Sequence, residues 1–291
     1  MNPRELAGAQ TFAPPPHRRT RVLPGQGALL VSTDMHGNAE DFVGLRAVFL
    51  RLLADDPGAH WAILGDAVHG PSPEARGRRP DLYDYEDESA RIVLGILELQ
   101  ARHPGRVHYV LGNHDHGHVG GPHTAKFYPD EVLTLERRCS PDERAGLRAL
   151  FSGALLAMVA PCGVLLAHGC PDDRLVRFAD LEECRLVRGD NDVYQRHLLD
   201  TFTRSYGQSE AVVQRLLATV SATAVPVSLV IHGHDRDEAG YFVASGSQVL
   251  CPVLFGAPRA AKRYVVLDLA ARYADAAALR DGLEIRRLYV D

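Results

Sequence analysis

The stretch LGNHDHGHVGG, residues 111–121, combines three histidines, one aspartate and four glycines in eleven positions. Imidazole nitrogens and carboxylate oxygens bind divalent metals, and an imidazole also transfers protons near neutral pH. A polar turn on the protein surface can have the same composition. Whether this segment is a metal-binding loop or a surface turn therefore depends on what the rest of the chain supplies.

Four other segments supply residues of the same kinds, and all five segments directly follow a short apolar run. The runs GALLVST, HWAILG, RVHYVLG, GVLLA and VSLVIHG lead, in that order, into Asp34 and His36, Asp66, Asn113 and His114, His168, and His234. Runs of this length, rich in Val, Ile and Leu and bounded by glycines, predict buried strands.

Amphipathic helices are predicted between these strands. Residues 39–54, 87–102 and 209–220 place apolar side chains at helical spacing. Alternating strands and helices predict an α/β layered fold with parallel strands at its centre. The C-terminal third lacks long helical patterns, so we expect its strands to be largely antiparallel. Residues 70–86 predict a long loop, and residues 117–150 an insertion that is partly helical.

Composition limits the class of protein. The 291 residues are 46% hydrophobic, and we expect an extended arm over residues 1–26 followed by a single domain over 27–291. The net charge of -5 argues against a general nucleic-acid-binding protein. There is neither a membrane-spanning run nor a secretion signal, and the five cysteines include no C-x-x-C pair. We therefore expect a cytoplasmic protein with reduced thiols; its oligomeric state stays open.

The five polar clusters are expected to form one site, because ligands bind outside the carboxyl ends of strands in α/β sheets. The ligand types are carboxylate, imidazole and amide, without a thiolate, which favours Mn²⁺, with Fe or Zn²⁺ as alternatives. Six ligands, one of them an aspartate able to bridge, suit two adjacent metals. Such a pair, about 3.5–4 Å apart, suits the hydrolysis of phosphate esters.

The motif series resembles that of the calcineurin-like metallophosphoesterases. It consists of D-M-H-G-N (34–38), G-D (65–66), G-N-H-D (112–115), H-G (168–169) and G-H (233–234). Order and spacing match from about residue 28 to residue 268. The resemblance implies a four-layer α/β/β/α sandwich of two mixed β-sheets, with a dimetal site at the carboxyl ends of the strands.

The resemblance also implies a role for each motif residue. Asp34 and His36 would bind the first metal, Asp66 would bridge both, and the second metal would be bound by Asn113, His168 and His234. The nucleophile would be a hydroxide that bridges the metals, since metal binding lowers the pKa of water to about 7. His114 would protonate the leaving-group oxygen as general acid.

Two segments, AHGCPD and GHDRDEAGY, are most similar to the serine/threonine phosphoprotein phosphatase branch. Arg236 stands where the phosphodiesterase branches carry another metal-binding histidine. We therefore expect hydrolysis of phosphate monoesters by a protein-phosphatase-like enzyme, with Arg204 and Arg236 as candidate phosphate contacts. The alternatives are hydrolysis of nucleotides, dinucleoside polyphosphates or other small phosphoesters, and an inactive metal-binding domain, which the complete ligand set disfavours.

One motif departs from that branch. Where the phosphoprotein phosphatases read G-D-x-x-D-R-G, this chain reads GDAVHG over residues 65–70. His69 replaces the aspartate that orients the general acid, and the phosphate-binding arginine is missing. The orienting partner of His114 is therefore unassigned, and a phosphorylated protein and a small phosphoester both stay open as substrates. His69 itself is either a site residue or a loop residue.

Overall fold

The computed structural model describes residues 18–246 and 248–290. In these ranges the strands are β1 (Thr20–Val22), β2 (Ala28–Ser32), β3 (His60–Ile63), β4 (Val107–Tyr109), β5 (Ala157–Ala160), β6 (Val164–Ala167), β7 (Leu229–Ile231), β8 (Tyr241–Ala244), β9 (Val249–Pro252), β10 (Arg263–Asp268) and β11 (Ile285–Arg287). The α-helices are α1 (Ala39–Asp55), α2 (Pro73–Arg78), α3 (Pro80–Tyr83), α4 (Ser89–Arg102), α5 (Asn113–His116), α6 (Glu131–Arg138), α7 (Pro141–Ser152), α8 (Val193–Arg204) and α9 (Glu210–Thr223).

The strands form two mixed sheets. The larger has the order β1-β5-β6-β7-β9-β8, and the smaller has the order β11-β10-β2-β3-β4. Within the smaller sheet β2, β3 and β4 are parallel, and β10 is antiparallel to both of its neighbours. Within the larger sheet β6, β7 and β9 are parallel, whereas β5 is antiparallel to β6 and β8 is antiparallel to β9. The antiparallel C-terminal pairings are thus as predicted, except that β9 lies parallel to β7.

In β2, β6 and β10, alternate residues belong to two different apolar cores. In β2, Leu29 and Val31 join a core that also contains Val164 and Leu166 of β6, so the two sheets share this inner layer. Leu30 instead contributes to a core with residues of α1 and α4. Side chains on a strand point alternately to its two faces. The arrangement is the expected four-layer α/β/β/α sandwich.

The three predicted amphipathic helices are α1, α4 and α9, with ends within three residues of the predicted ones. The loop predicted over residues 70–86 is wrong in part, because it contains α2 and α3. Ser72 caps α2 by accepting a hydrogen bond from the Ala75 amide, and Pro73 occupies the first turn. Serine followed by proline is a helix-start signal that outweighs the glycine and charge content of the segment.

The predicted N-terminal arm lies outside the described residues up to position 17. Its remainder does not form a free arm, because β1 pairs with β5 from Thr20↔Ala157 to Val22↔Val159. The Arg19 guanidinium donates to the carbonyls of Ser152 and Ala154 at 3.0 and 2.9 Å. A three-residue strand such as β1 is too short to show a periodic pattern in the sequence. None of the helices in the described ranges is both long and apolar enough to cross a membrane.

Candidate active site

The five polar clusters meet at one edge of the sandwich. Each follows the carboxyl end of its strand: β2, β3 and β4 of the smaller sheet, and β6 and β7 of the larger. Both sheets therefore contribute to a single cleft of about 400 Å³. The structure brings together the predicted ligands and the predicted general acid, namely Asp34, His36, Asp66, Asn113, His114, His168 and His234.

Asp66 lies at the centre of this group. Its Oδ2 is 3.6 Å from His36 Nε2 on one side and 3.3 Å from His168 Nε2 on the other. His36 Nε2 is in turn 3.7 Å from Asp34 Oδ1. A single carboxylate oxygen thus faces two separate imidazoles, which is the geometry that a bridging ligand requires.

The second half of the group surrounds Asn113. Its side-chain oxygen is 3.1 Å from His168 Nε2 and 2.8 Å from His234 Nδ1. The backbone amide of His234 donates to Asp34 Oδ2 at 3.0 Å, which joins this half to the first. These contacts place two groups of candidate metal ligands, one on each side of Asp66.

The donor atoms fit metal cations. Nδ1 of His168 is 2.6 Å from the Leu64 carbonyl, and Nδ1 of His36 is 3.3 Å from the His69 carbonyl. A carbonyl only accepts, so each Nδ1 donates a proton to its carbonyl and each Nε2 faces Asp66. An Nε2 held in this way offers its lone pair to a metal cation that replaces a proton beside the carboxylate.

The charges in the site also favour binding of metal cations. Burial lowers the pKa of His168, but the carboxylates of Asp66 and Asp34 outweigh it and raise the pKa to about 10. Burial would raise the pKa of Asp66, yet His168 and His114 hold it well below its ordinary value. These carboxylates attract a metal cation as they attract a proton. The residues therefore fit two divalent metals.

The backbone is strained where the ligands are. Six residues other than glycine have positive φ in the described ranges: Asp34, His36, Asp66, His69, His234 and Ser245. A positive φ is unfavourable for side chains other than glycine, and such residues concentrate at functional sites. Four of the six are predicted ligands, so the surrounding structure stabilises ligand placement at a cost in backbone energy.

Two motif glycines allow the ligand loops to approach one another. A Cβ on Gly112 would collide with the Asp66 carboxylate, and a Cβ on Gly233 would collide with Thr33 and Asp34. Glycine is required where backbone and side chain come this close. The glycines of G-N-H-D and G-H are thus needed for the residues of the site to come together.

Asp115 holds two ligand loops together. Its buried carboxylate accepts hydrogen bonds from the amides of Asp66 at 2.8 Å and Gly112 at 2.9 Å, and from the Tyr109 hydroxyl at 2.8 Å. Asp115 therefore both orients the loop that carries Asp66 and caps the turn that begins at Gly112. It fixes Asp66 and Asn113 relative to one another.

His114 is held through one ring nitrogen. Its Nδ1 is 3.1 Å from His69 Nδ1, 3.2 Å from Thr124 Oγ1 and 3.3 Å from Glu131 Oε2. His114 also lines the cleft beside His36 and Asp66, with its ring centroid 4.6 Å from that of His36. Because these contacts all involve Nδ1, the other ring nitrogen, Nε2, is the one that can face the cleft.

His69 is a site residue, which decides the alternative left open by the sequence. Its Nε2 is 3.0 Å from His118 Nε2, and His118 Nδ1 is 3.0 Å from Glu136 Oε1. Burial holds the pKa of His69 well below its ordinary value and lowers that of His118, so both rings are neutral. Burial would raise the pKa of Glu131, but His114 lowers it to about 2.

The sequence that forms this site also matches the model of a protein family. The family model for calcineurin-like phosphoesterases matches residues 28–236. The chain belongs to the calcineurin-like phosphoesterase family. The resemblance of the motif series is thereby confirmed, and the phosphoesterase motifs all lie within the matched residues.

Two solved structures are similar to this phosphoesterase. A protein serine/threonine phosphatase from Saccharomyces cerevisiae, with similarity to human phosphatase PP5, has 16% identity and a TM-score of 0.60, with 93% of this chain and 83% of that one covered. A cold-active protein-tyrosine phosphatase of a psychrophile, Shewanella sp., has 14% identity and a TM-score of 0.53, with 87% and 78% covered. Both share the fold. No curated protein matches the sequence.

The two candidate phosphate contacts of the phosphoesterase differ in position. Arg236 lines the cleft. Arg204 is not among the described residues that line it; its guanidinium is 3.3 Å from His116 Nδ1 and 3.6 Å from Asp200. The Arg204 guanidinium thus contacts His116 and Asp200 and does not face the cleft.

Sequence reasoning missed Lys126, which also lines the phosphoesterase cleft. Its ammonium lies 3.9 Å from the ring centroid of Phe255, and that ring is 4.1 Å from the ring of His36. The walls of the cleft desolvate the ammonium and lower the pKa of Lys126 to about 8. One signal was available: only two of the 32 basic residues are lysine, and Lys126 is one of them.

Proposed function

We propose that this phosphoesterase hydrolyses phosphate monoesters with two bound divalent metals and His114 as general acid. The donor set contains oxygen and nitrogen but no thiolate, which favours Mn²⁺, with Fe or Zn²⁺ as the alternatives. The observation that carries the proposal is the position of Asp66, whose Oδ2 faces His36 on one side and His168 on the other.

Each residue of the site has a separate task in this proposal. Asp34 and His36 hold one metal, Asp66 is shared, and the other metal is held by Asn113, His168 and His234. When bound, the metals supply Lewis acidity that activates water and polarises the phosphoryl group. His114 donates a proton from Nε2 to the leaving-group oxygen, which its position in the cleft supports.

Binding of a monoester is supported by two cations in the cleft lining. Arg236 presents a planar guanidinium suited to two phosphate oxygens, and Lys126 presents a compact ammonium. A monoester dianion carries more charge than a diester, and so gains more from two cations. Arg236 also replaces the additional histidine of the phosphodiesterase-like relatives.

The leaving group is the open part of this proposal, and two classes are candidates. The motif likeness to the phosphoprotein phosphatases favours a phosphorylated protein. A pocket of about 460 Å³ favours a small phosphoester, because it shares Arg236 with the cleft and is also lined by Arg79 and Tyr83. Pockets of this size hold small molecules, with an aromatic wall and a few polar groups.

An activity screen on metal-reconstituted protein tests the proposal. The substrates are p-nitrophenyl phosphate, bis-p-nitrophenyl phosphate, a phosphoserine peptide and a dinucleoside polyphosphate, each with Mn²⁺, Fe²⁺ or Zn²⁺. We expect the monoester to be hydrolysed faster than the bis-ester with the same metal. Faster hydrolysis of the bis-ester would refute monoesterase activity, and no hydrolysis by protein that retains two metals would favour the inactive metal-binding domain.

A further inference from the structure

Glu131 is a buried carboxylate that the proposed function leaves without a task. It is the first residue of α6, in the segment that follows the G-N-H-D motif, and its side chain is 1% exposed. One oxygen, Oε1, accepts a hydrogen bond from the Phe127 amide at 2.9 Å. The other, Oε2, makes no regular hydrogen bond with the described residues and lies 3.3 Å from His114 Nδ1.

The hydrogen bonds of the neighbouring groups determine which ring nitrogen of His114 carries a proton. Glu136 only accepts, so His118 donates from Nδ1 and accepts at Nε2. His69 therefore donates from Nε2 to His118, and its own Nδ1 is an acceptor. This acceptor faces His114.

His114 Nδ1 thus lies between two groups that only accept, His69 Nδ1 at 3.1 Å and Glu131 Oε2 at 3.3 Å. Thr124, the third neighbour, has a hydroxyl that can donate or accept. With two obligate acceptors beside it, Nδ1 must carry a proton. Burial of the Glu131 charge requires such a donor, since buried charges in proteins are paired or hydrogen-bonded.

We propose that Glu131 is the positioning residue of His114, holding its Nδ1–H so that Nε2 stays directed at the leaving-group oxygen. The carboxylate comes from the inserted helix α6 rather than from the G-D motif, whose fourth residue after the glycine is His69 in this chain. His69 serves as a second acceptor for the same proton. This inference rests on the proposed role of His114 as general acid.

The closeness of His69, His114 and Glu131 also permits a competing occupant, a cation bound by all three. Such a cation would require a lone pair at His114 Nδ1 in place of the proton. The two possibilities predict different metal content: two ions per chain if Glu131 positions His114, and three if the cluster binds metal. Metal analysis of the purified, reconstituted protein therefore separates them.

The experiment uses Glu131→Gln, which keeps the shape but removes the charge, and Glu131→Asp as the conservative variant. Turnover is measured on p-nitrophenyl phosphate and on phenyl phosphate, whose leaving group needs protonation more. We expect Glu131→Gln to lower kcat on phenyl phosphate by about 10–100-fold, the usual range for a supporting residue, with KM and metal content unchanged. Glu131→Asp should recover part of the loss, and p-nitrophenyl phosphate should be affected far less.

Two further readouts distinguish positioning from a structural role. In a His114→Ala background, Glu131→Gln should cause no additional loss, because the effect passes through His114. In ¹H–¹⁵N spectra of the Zn²⁺-loaded protein, the His114 Nδ1–H signal of the wild type should weaken or vanish in Glu131→Gln.

Equal losses on both substrates, an additive loss with His114→Ala, or an unchanged Nδ1–H signal would overturn the proposal, as would three metals in the wild type that fall to two in Glu131→Gln. Each of these results is compatible with monoester hydrolysis at the two metals proposed beside Asp66. Failure of this inference is therefore distinct from failure of the proposed function, which the wild-type screen decides.

Discussion

Two groups of histidines lie side by side at the cleft and behind its wall, and they differ in the group that their second ring nitrogen contacts. In the group of candidate metal ligands, His36 and His168 place Nδ1 against backbone carbonyls, which leaves Nε2 facing Asp66. In the neighbouring group, His69 and His118 hydrogen-bond to one another, and His118 also hydrogen-bonds to the carboxylate of Glu136. The first group fits metal cations, which can replace protons beside its carboxylates, whereas the hydrogen bonds within the second group are complete with protons alone.

The difference shows why histidine content alone does not identify metal ligands. Both groups are buried, and both include carboxylates within 4 Å of an imidazole. The backbone carbonyls of Leu64 and His69 make the distinction, because they fix the tautomers of His168 and His36. A histidine whose Nδ1 donates to a carbonyl presents Nε2 to a metal, which is the common arrangement at metal sites.

Replacement of the shared carboxylate should give the largest effect. In Asp66→Asn, a neutral amide replaces the charge between His36 and His168, so we expect metal content to fall from two ions per chain to one or none and turnover to fall to background. Metal analysis and p-nitrophenyl phosphate hydrolysis measure both. Asp55→Asn, an exposed charge change at the far end of α1, is the matched control and should behave like the wild type. Two metals and full activity in Asp66→Asn would show that Asp66 is not a ligand.

Chelation tests the requirement of the ligand group for cations without mutation. Metal at 100 times its dissociation constant stabilises the native state by about 2.7 kcal/mol. For a domain of this size, that corresponds to a Tm higher by about 5 °C for each metal bound. We expect treatment with a chelator to abolish activity and lower Tm by this amount, and metal to restore both. In Asp66→Asn the chelator should leave Tm nearly unchanged; a full shift there would place the bound metal elsewhere.

His114→Ala should have the next largest effect, on turnover alone. Loss of a general acid lowers turnover by about 10²–10⁴-fold. The loss should be largest on phosphoserine or phenyl phosphate and smaller on p-nitrophenyl phosphate, whose phenolate hardly needs protonation. Metal content should stay at two ions per chain. His123→Ala, an exposed histidine of the same segment, serves as the control. Loss of metal in His114→Ala would assign His114 to the ligand group instead.

The strand-end ligands could be predicted from sequence because a local pattern places them. Each follows an apolar run within a few residues, and parallel strands bring their carboxyl ends to one edge. Asp34, Asp66 and His168 therefore meet although they are far apart in sequence. The α/β layering follows from the same alternation of strands and helices, and the four-layer arrangement was implied by the resemblance of the motif series.

The neighbouring group could not be predicted in this way. Glu131 begins a helix in an insertion, and no periodic pattern relates it to His114 or to His69. Lys126 lies in the loop before that helix, and its position in the cleft depends on how the insertion packs against Phe255. Contacts between an insertion and a motif loop are decided by tertiary packing, which a single sequence does not display.

The smallest effect is expected at His118, which lies three residues after the end of the G-N-H-D motif. His118 accepts from His69 and donates to Glu136, so it determines that the proton of His69 lies on Nε2 and that Nδ1 is an acceptor for His114. His118→Phe removes both bonds, and we expect turnover on phenyl phosphate to fall about three- to tenfold, the usual net value of one hydrogen bond. His118→Gln should retain most activity, because its amide oxygen accepts and its NH₂ donates in the same directions. Metal content should not change in either variant. His197→Phe, which breaks a similar contact with Asp172 away from the cleft, controls for loss of a histidine–carboxylate pair. Equal losses in the Phe and Gln variants at 118 would mean that the shape of the imidazole, and not its proton, is what His69 requires.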